Sequence, residues 1–129
     1  METQEQLADL LAEHAGWQNR ILHFKNELKA MKEELGMIVS RFTPREVPAS
    51  TEHFQNQIIV QKDVLDIMRH DFKQFENKVE DAQRTDGKVS EYLQSLCDAY
   101  RVRLSDYDKI YHEFKNEFAS FKKHESIPA

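Results

Sequence analysis

Residues 7–42 read LADLLAEHAGWQNRILHFKNELKAMKEELGMIVSRF, and their apolar positions decide the fold. Leu7, Leu10, His14, Trp17, Ile21, Phe24, Leu28, Met31, Leu35, Ile38 and Phe42 follow one another at alternating steps of three and four. This is heptad spacing, which keeps one stripe of a helix turned toward a neighbour. It predicts a helix over about residues 4–42, about 57 Å long at 1.5 Å per residue. Gly36 is its weak point, because glycine costs about 1 kcal/mol relative to alanine inside a helix. A bend or an early end is expected there.

Beyond it, residues 43–50 (Thr-Pro-Arg-Glu-Val-Pro-Ala-Ser) form a connector, since a proline disfavours helical geometry in the residue before it. Thr43 and Glu46 have the spacing of a capping box around a single turn, and Ser50 or Thr51 is expected to cap the next helix. The alternation then resumes through Phe54, Ile58, Gln61, Leu65, Met68, Phe72, Phe75, Val79 and Ala82. That predicts a second helix over about 51–84, closed by a tight turn at 85–88 in which Gly87 takes a left-handed conformation.

A third helix over about 88–124 carries Val89, Leu93, Leu96, Tyr100, Leu104, Tyr107, Tyr111, Phe114, Phe118 and Phe121. Two successive steps of four, from Leu96 through Tyr100 to Leu104, read as a stutter that relaxes the supercoil. The tail Ser126–Ala129 is expected to fray.

Three segments of matched length, each with one apolar stripe, bury those stripes against one another. The expected fold class is therefore all-α: an elongated, antiparallel, up-down-up three-helix bundle with coiled-coil-like packing, one domain over 1–129. In register, Val79 falls near His14 and Leu93 at one end, and Phe54 near Ile38 and Phe118 at the other. The pattern resembles spectrin-type triple-helical repeats, which also place a tryptophan in the first helix, where Trp17 stands. The resemblance implies that architecture and no function.

Composition agrees with this and narrows the function. The 129 residues are 40% apolar and 32% charged, with only three glycines and three prolines. That is too few turn residues for a β-sandwich or meander. The net charge of −5 repels phosphate backbones, so nucleic acid is not an expected partner. The one locally basic stretch, Lys115–Lys123, is interrupted by Glu117 and phenylalanines and reads as a solvated helix face. No stretch reaches the roughly 18 apolar residues of a membrane span. Cys97 is alone, so no intrachain disulfide forms, and the acidic N-terminus lacks the form of a secretory signal. The expected compartment is the cytoplasm.

Candidate chemistry is sparse. None of His14, His23, His53, His70, His112 and His124 follows an acid by three positions, and no two are three or four apart. The Glu-x-x-His and paired-histidine patterns of bundle metal sites are thus missing. His23 and Glu27 read as a solvated polar pair. His14 sits on the first stripe and reads as a buried neutral imidazole. Gln61 sits on the second, where a polar residue fixes register at some cost in stability. An alternative gives His14, Trp17 and Gln61 to an internal pocket for a ligand or metal. Cys97 reads as a small buried hydrophobe, and no nucleophile turn or phosphate-cradling loop is present. The expectation is a non-enzymatic protein without a cofactor.

One irregularity points to an interface. Val60, Val64 and Ile67 form a second apolar line on the second helix, with Ile59 beside it, and the tyrosine-rich flank Tyr100, Tyr107 and Tyr111 is expected to extend it. A helix apolar on two faces needs two partners. Protein–protein interaction or scaffolding follows, with a homodimer as the simplest form.

Overall fold

The computed structural model describes residues 2–125, with the side chains of 6–124. It is a bundle of three helices, α1 (Glu2–Val39), α2 (Ser50–Thr85) and α3 (Glu91–Glu125), with no strand among the described residues. Ser126–Ala129, expected to fray, lie outside them.

α1 runs through Gly16 and Gly36, and a Cβ at either would meet nothing within 4 Å. Packing of Leu35 and Ile38 on both sides of Gly36 outweighs the propensity cost expected to end the helix there. The helix stops at Val39 rather than 42. Its last carbonyls are taken up in tight three-residue bonds from Arg41 to Ile38 and Phe42 to Val39, and the Ser40 hydroxyl donates to the Met37 carbonyl. Phe42 still packs against the core from outside the helix.

In the connector the Thr43 N–H donates to Glu46 Oε1 at 3.1 Å and the Glu46 N–H donates to the Thr43 carbonyl at 2.9 Å, which makes the single turn. Neither Ser50 nor Thr51 caps α2. Ala49 is the N-cap, already helical in φ and ψ and without a side-chain bond, and Thr51 is drawn into the first turn with its side chain buried.

Gly87 closes α2 at φ 68°, where its N–H donates to the Ala82 carbonyl at 2.8 Å. A side chain would be strained in that conformation. α3 begins at Glu91 rather than 88, because the Ser90 hydroxyl accepts the Leu93 N–H at 3.0 Å and so defines the cap.

The buried residues of α1 and α2 are those of the heptad stripes. α3 corrects one expectation. Cys97 is fully buried while Leu96 is half-buried at the edge of the core, so the stripe is Leu93, Cys97, Tyr100, Leu104, Tyr107, Tyr111, Phe114, Phe118 and Phe121. These alternate four and three without interruption. The stutter came from taking the larger Leu96 as the inward residue, and all three helices carry unbroken heptads.

Aromatic rings fill the bundle in three groups. Trp17 lies 5.0 Å from Phe72 and 5.5 Å from Phe75, with Tyr100 4.9 Å from Phe72. Phe24 meets Tyr107 at 5.1 Å and Tyr111 at 4.8 Å. At the connector end Phe54 packs on Phe118 at 5.5 Å and Phe121 at 4.8 Å, in the register expected.

α1 and α3 run parallel, and a ladder of ion pairs holds them in step. Arg101 grips both carboxylate oxygens of Glu13 at 2.6 and 2.7 Å, and Arg20 pairs with Asp108 at 3.0 Å. Lys115 pairs with Glu27 at 3.0 Å and Lys122 with Glu34 at 2.9 Å. Every rung joins residues 88 apart, and successive rungs are seven apart. Each exposed pair contributes under about 1 kcal/mol. Their order matters more, because the Arg20–Asp108 rung has its signs reversed. Sliding α3 by one heptad either way would oppose Arg20 to Lys115 and Glu13 to Asp108, or Arg20 to Arg101 and Glu27 to Asp108. The ladder therefore rejects the shifted registers that a uniform heptad stripe would allow.

Candidate functional site

Helical position assigns each exposed apolar residue of α2 to a furrow. Residues 53, 60, 64, 67 and 71 recur at helical spacing and share a flank. His53 and Asp71 reach Glu117 and Arg103 of α3, so Val60, Val64 and Ile67 between them edge the α2–α3 furrow. They are 51%, 38% and 57% exposed. On α3 the same furrow is edged by Arg103 and Glu117, and Ile110, midway between them, is 53% exposed. Ile110 thus joins the strip, a member that needed the register of α2 on α3 to be found.

Two parts of the expected interface are corrected. Tyr107 is 3% and Tyr111 0% exposed, so both belong to the core and neither offers a surface. Tyr100 is half-buried, with its ring 4.9 Å from Phe72 and 6.4 Å from Trp17. The reason lies in their own spacing, since all three are stripe residues of α3. Ile59 is exposed, as expected, but one residue is 100° of helix rotation. It shares its flank with Lys62, Asp66 and Arg69, and thus turns toward α1.

The alternative, one pocket shared by His14, Trp17 and Gln61, is not formed among the described residues. His14 lies beside Glu76 of α2, its Nδ1 3.2 Å from Oε2, fifteen residues from Gln61, or about 22 Å along the helix. Both polar residues already have partners. The Gln18 amide donates to His14 Nε2 at 3.1 Å and to the Arg69 carbonyl at 3.2 Å. An Nε2 that accepts a bond belongs to a neutral ring protonated on Nδ1. Gln61 accepts a bond from the Tyr107 hydroxyl at 3.0 Å in the core. Trp17 contacts His14 edge-on at 6.3 Å and otherwise packs on aromatic rings.

Burial holds the His14 imidazole below its ordinary pKa of 6.5, against the pull of Glu76, and the bond from Lys73 holds Glu76 below the usual carboxylate range. As pH falls through 6.5, the unfolded chain takes up a proton at this histidine while the folded one does not. The unfolded state then binds more protons, so stability present above pH 6.5 is lost as pH falls toward the folded pKa. Urea midpoints should drop between about pH 7.5 and 5.5, and His14→Gln should flatten the dependence. An equal drop in the variant would assign it to other groups.

His23 and Glu27 pair at 2.6 Å on the surface, as the polar pair expected. Burial pushes the Cys97 thiol up to about 11, which leaves it protonated and a poor nucleophile at neutral pH. Among the described residues no three His, Cys, Asp or Glu side chains converge in a way that could hold a metal ion, and no helix is long and apolar enough to cross a membrane. Compared with family models, with curated proteins and with solved structures, the chain matches none.

Proposed function

We propose that the protein is a non-enzymatic interaction module that docks through the α2–α3 strip of Val60, Val64, Ile67 and Ile110, with a second copy of itself as the simplest partner. The observation that carries this reading is the exposure of those four side chains on helices whose heptad stripes are already sealed in the core. Burying them again gains about 25 cal/mol for each Å² removed from water. A strip shared by identical chains closes on itself about a two-fold axis, which gives a dimer and not a filament. The lone buried Cys97 fits a reducing compartment such as the cytoplasm.

Sedimentation equilibrium tests it. The wild-type chain should be dimeric at micromolar concentration. Val64→Asp with Ile67→Asp should weaken association at least about 100-fold, or about 2.7 kcal/mol, with helicity unchanged because both positions are exposed. A wild-type chain that stays monomeric throughout that range would rule out the homodimer.

A further inference from the structure

The other flank of α2 carries a surface of opposite character. A furrow between α1 and α2 runs from a recess of about 700 Å³ beside His14 and Glu76 into one of about 330 Å³ beside Lys32 and Ile58. The two share Leu22 and Lys25. On α1 its rail is Leu22, Lys25, Lys29 and Lys32, stepping three, four and three. On α2 it is Ile59, Lys62, Asp66, Arg69 and Lys73, again at helical spacing.

Six basic side chains line this furrow in a chain whose net charge is −5. Its two acids are already engaged, Asp66 by Lys25 and Glu76 by Lys73. Lys29, Lys32, Lys62 and Arg69 have no ion-pair partner among the described residues. Between the rails the floor is apolar at the Lys32 end and turns polar toward His14 and Gln18. Leu28 and Ile58 are nearly covered, and Leu22 is 58% exposed.

We infer that this furrow seats an acidic amphipathic helix of a partner protein, as a fourth helix of the bundle. The spacing argues for a helix, because the cations without a partner stand at i and i+3 on α1 (Lys29, Lys32) and at i and i+7 on α2 (Lys62, Arg69), a pitch that carboxylates on a helical occupant match. Leu22 and Ile59 on the two rails, each 58% exposed, argue for an apolar stripe on it, since they gain only from an occupant that excludes water. Charge complementarity selects an acidic one, because an uncharged helix would desolvate four cations without pairing them. A long polyanion such as nucleic acid fits less well. It has no use for the floor and meets the repulsion of the whole chain. This site lies on the α1 side of α2, away from the Val60–Val64–Ile67 strip, and does not depend on that strip's role.

Titration of the ¹⁵N-labelled full chain with a synthetic helical peptide is the test, the peptide having leucine along one face and glutamate at i, i+4 and i+7 beside it. Saturable amide shifts should centre on residues 22–32 and 58–73. Lys29→Glu with Lys32→Glu and Lys62→Glu should weaken binding at least about tenfold, and binding should fall as salt rises, since a Debye length is about 10 Å at 0.1 M. The three lysines are exposed, and a Lys→Gln triple variant with wild-type helicity separates lost binding from lost folding. The proposal is overturned if shifts are absent in the wild type or map to the α2–α3 strip. It is equally overturned if a scrambled peptide of the same composition, or a single-stranded oligonucleotide, binds the furrow as tightly. A dimer that dissociates on reversal of the three lysines would assign the furrow to a second copy and overturn it as well.

Discussion

Phe72→Ala should cost about 3–5 kcal/mol of stability, the range for removing a fully buried aromatic ring from a packed core. Phe72 has no exposed surface and stands where all three helices meet, 5.0 Å from Trp17 of α1 and 4.9 Å from Tyr100 of α3. Its loss leaves a cavity that neither neighbour fills without leaving its rotamer, and the offset ring pairs lost with it are worth about 0.5–1.5 kcal/mol each. Against a total of about 5–15 kcal/mol for a domain, this is a large share. The melting temperature should fall by on the order of 10 °C. Trp17 is the sole tryptophan and is 5% exposed, so its emission reports this site directly and should shift to the red. A fall of about 2 °C or less, with emission unchanged, would mean that the aromatic group does not hold the helices together. Val102→Ala, at an exposed position of α3 outside both proposed surfaces, is the control and should stay within about 0.5 kcal/mol of wild type.

That the three stripes meet in a core was legible in the sequence because a heptad repeat specifies both a helix and its buried side, and two glycines in α1 are too weak a signal to contradict it. What spacing could not supply was depth. In the run Leu93–Leu96–Cys97–Tyr100, hydrophobicity favours Leu96 and the repeat favours Cys97; the repeat prevailed because a helix cannot turn one residue inward without turning its neighbours out. The same competition explains the tyrosines. Expected to flank the interface, Tyr107 and Tyr111 instead continue the stripe and stay inside. Furrows and ladders depend on which helix lies beside which. Glu13, Arg20, Glu27 and Glu34 recur every seven residues in the first stretch, but their meaning appears only when α3 is set parallel at an offset of 88. Ile59 and Val60 are neighbours in sequence and belong to different furrows for the same reason.

Gln61 and Tyr107 carry the second large effect. Both are buried, and the tyrosine hydroxyl donates to the glutamine carbonyl at 3.0 Å across the α2–α3 interface. Burial pushes the Tyr107 pKa far up, so the hydroxyl keeps its proton and remains a donor. Tyr107→Phe strands the Gln61 carbonyl, and Gln61→Leu strands the hydroxyl; each should cost about 1–3 kcal/mol, the penalty for a buried polar group without a partner. The double variant removes donor and acceptor together, so it should be more stable than the sum of the single costs predicts, by about 0.5–3 kcal/mol. Strictly additive losses in urea melts would show that the bond is not an energetic unit. The double variant should also lose specificity. A polar pair that is satisfied only when Gln61 faces Tyr107 penalises every other pairing of α2 with α3, and an all-apolar stripe does not. The urea transition of the double variant should therefore broaden, with a lower dependence on denaturant, even where its midpoint recovers. A transition as sharp as wild type would leave the choice of register to the charged ladder between α1 and α3.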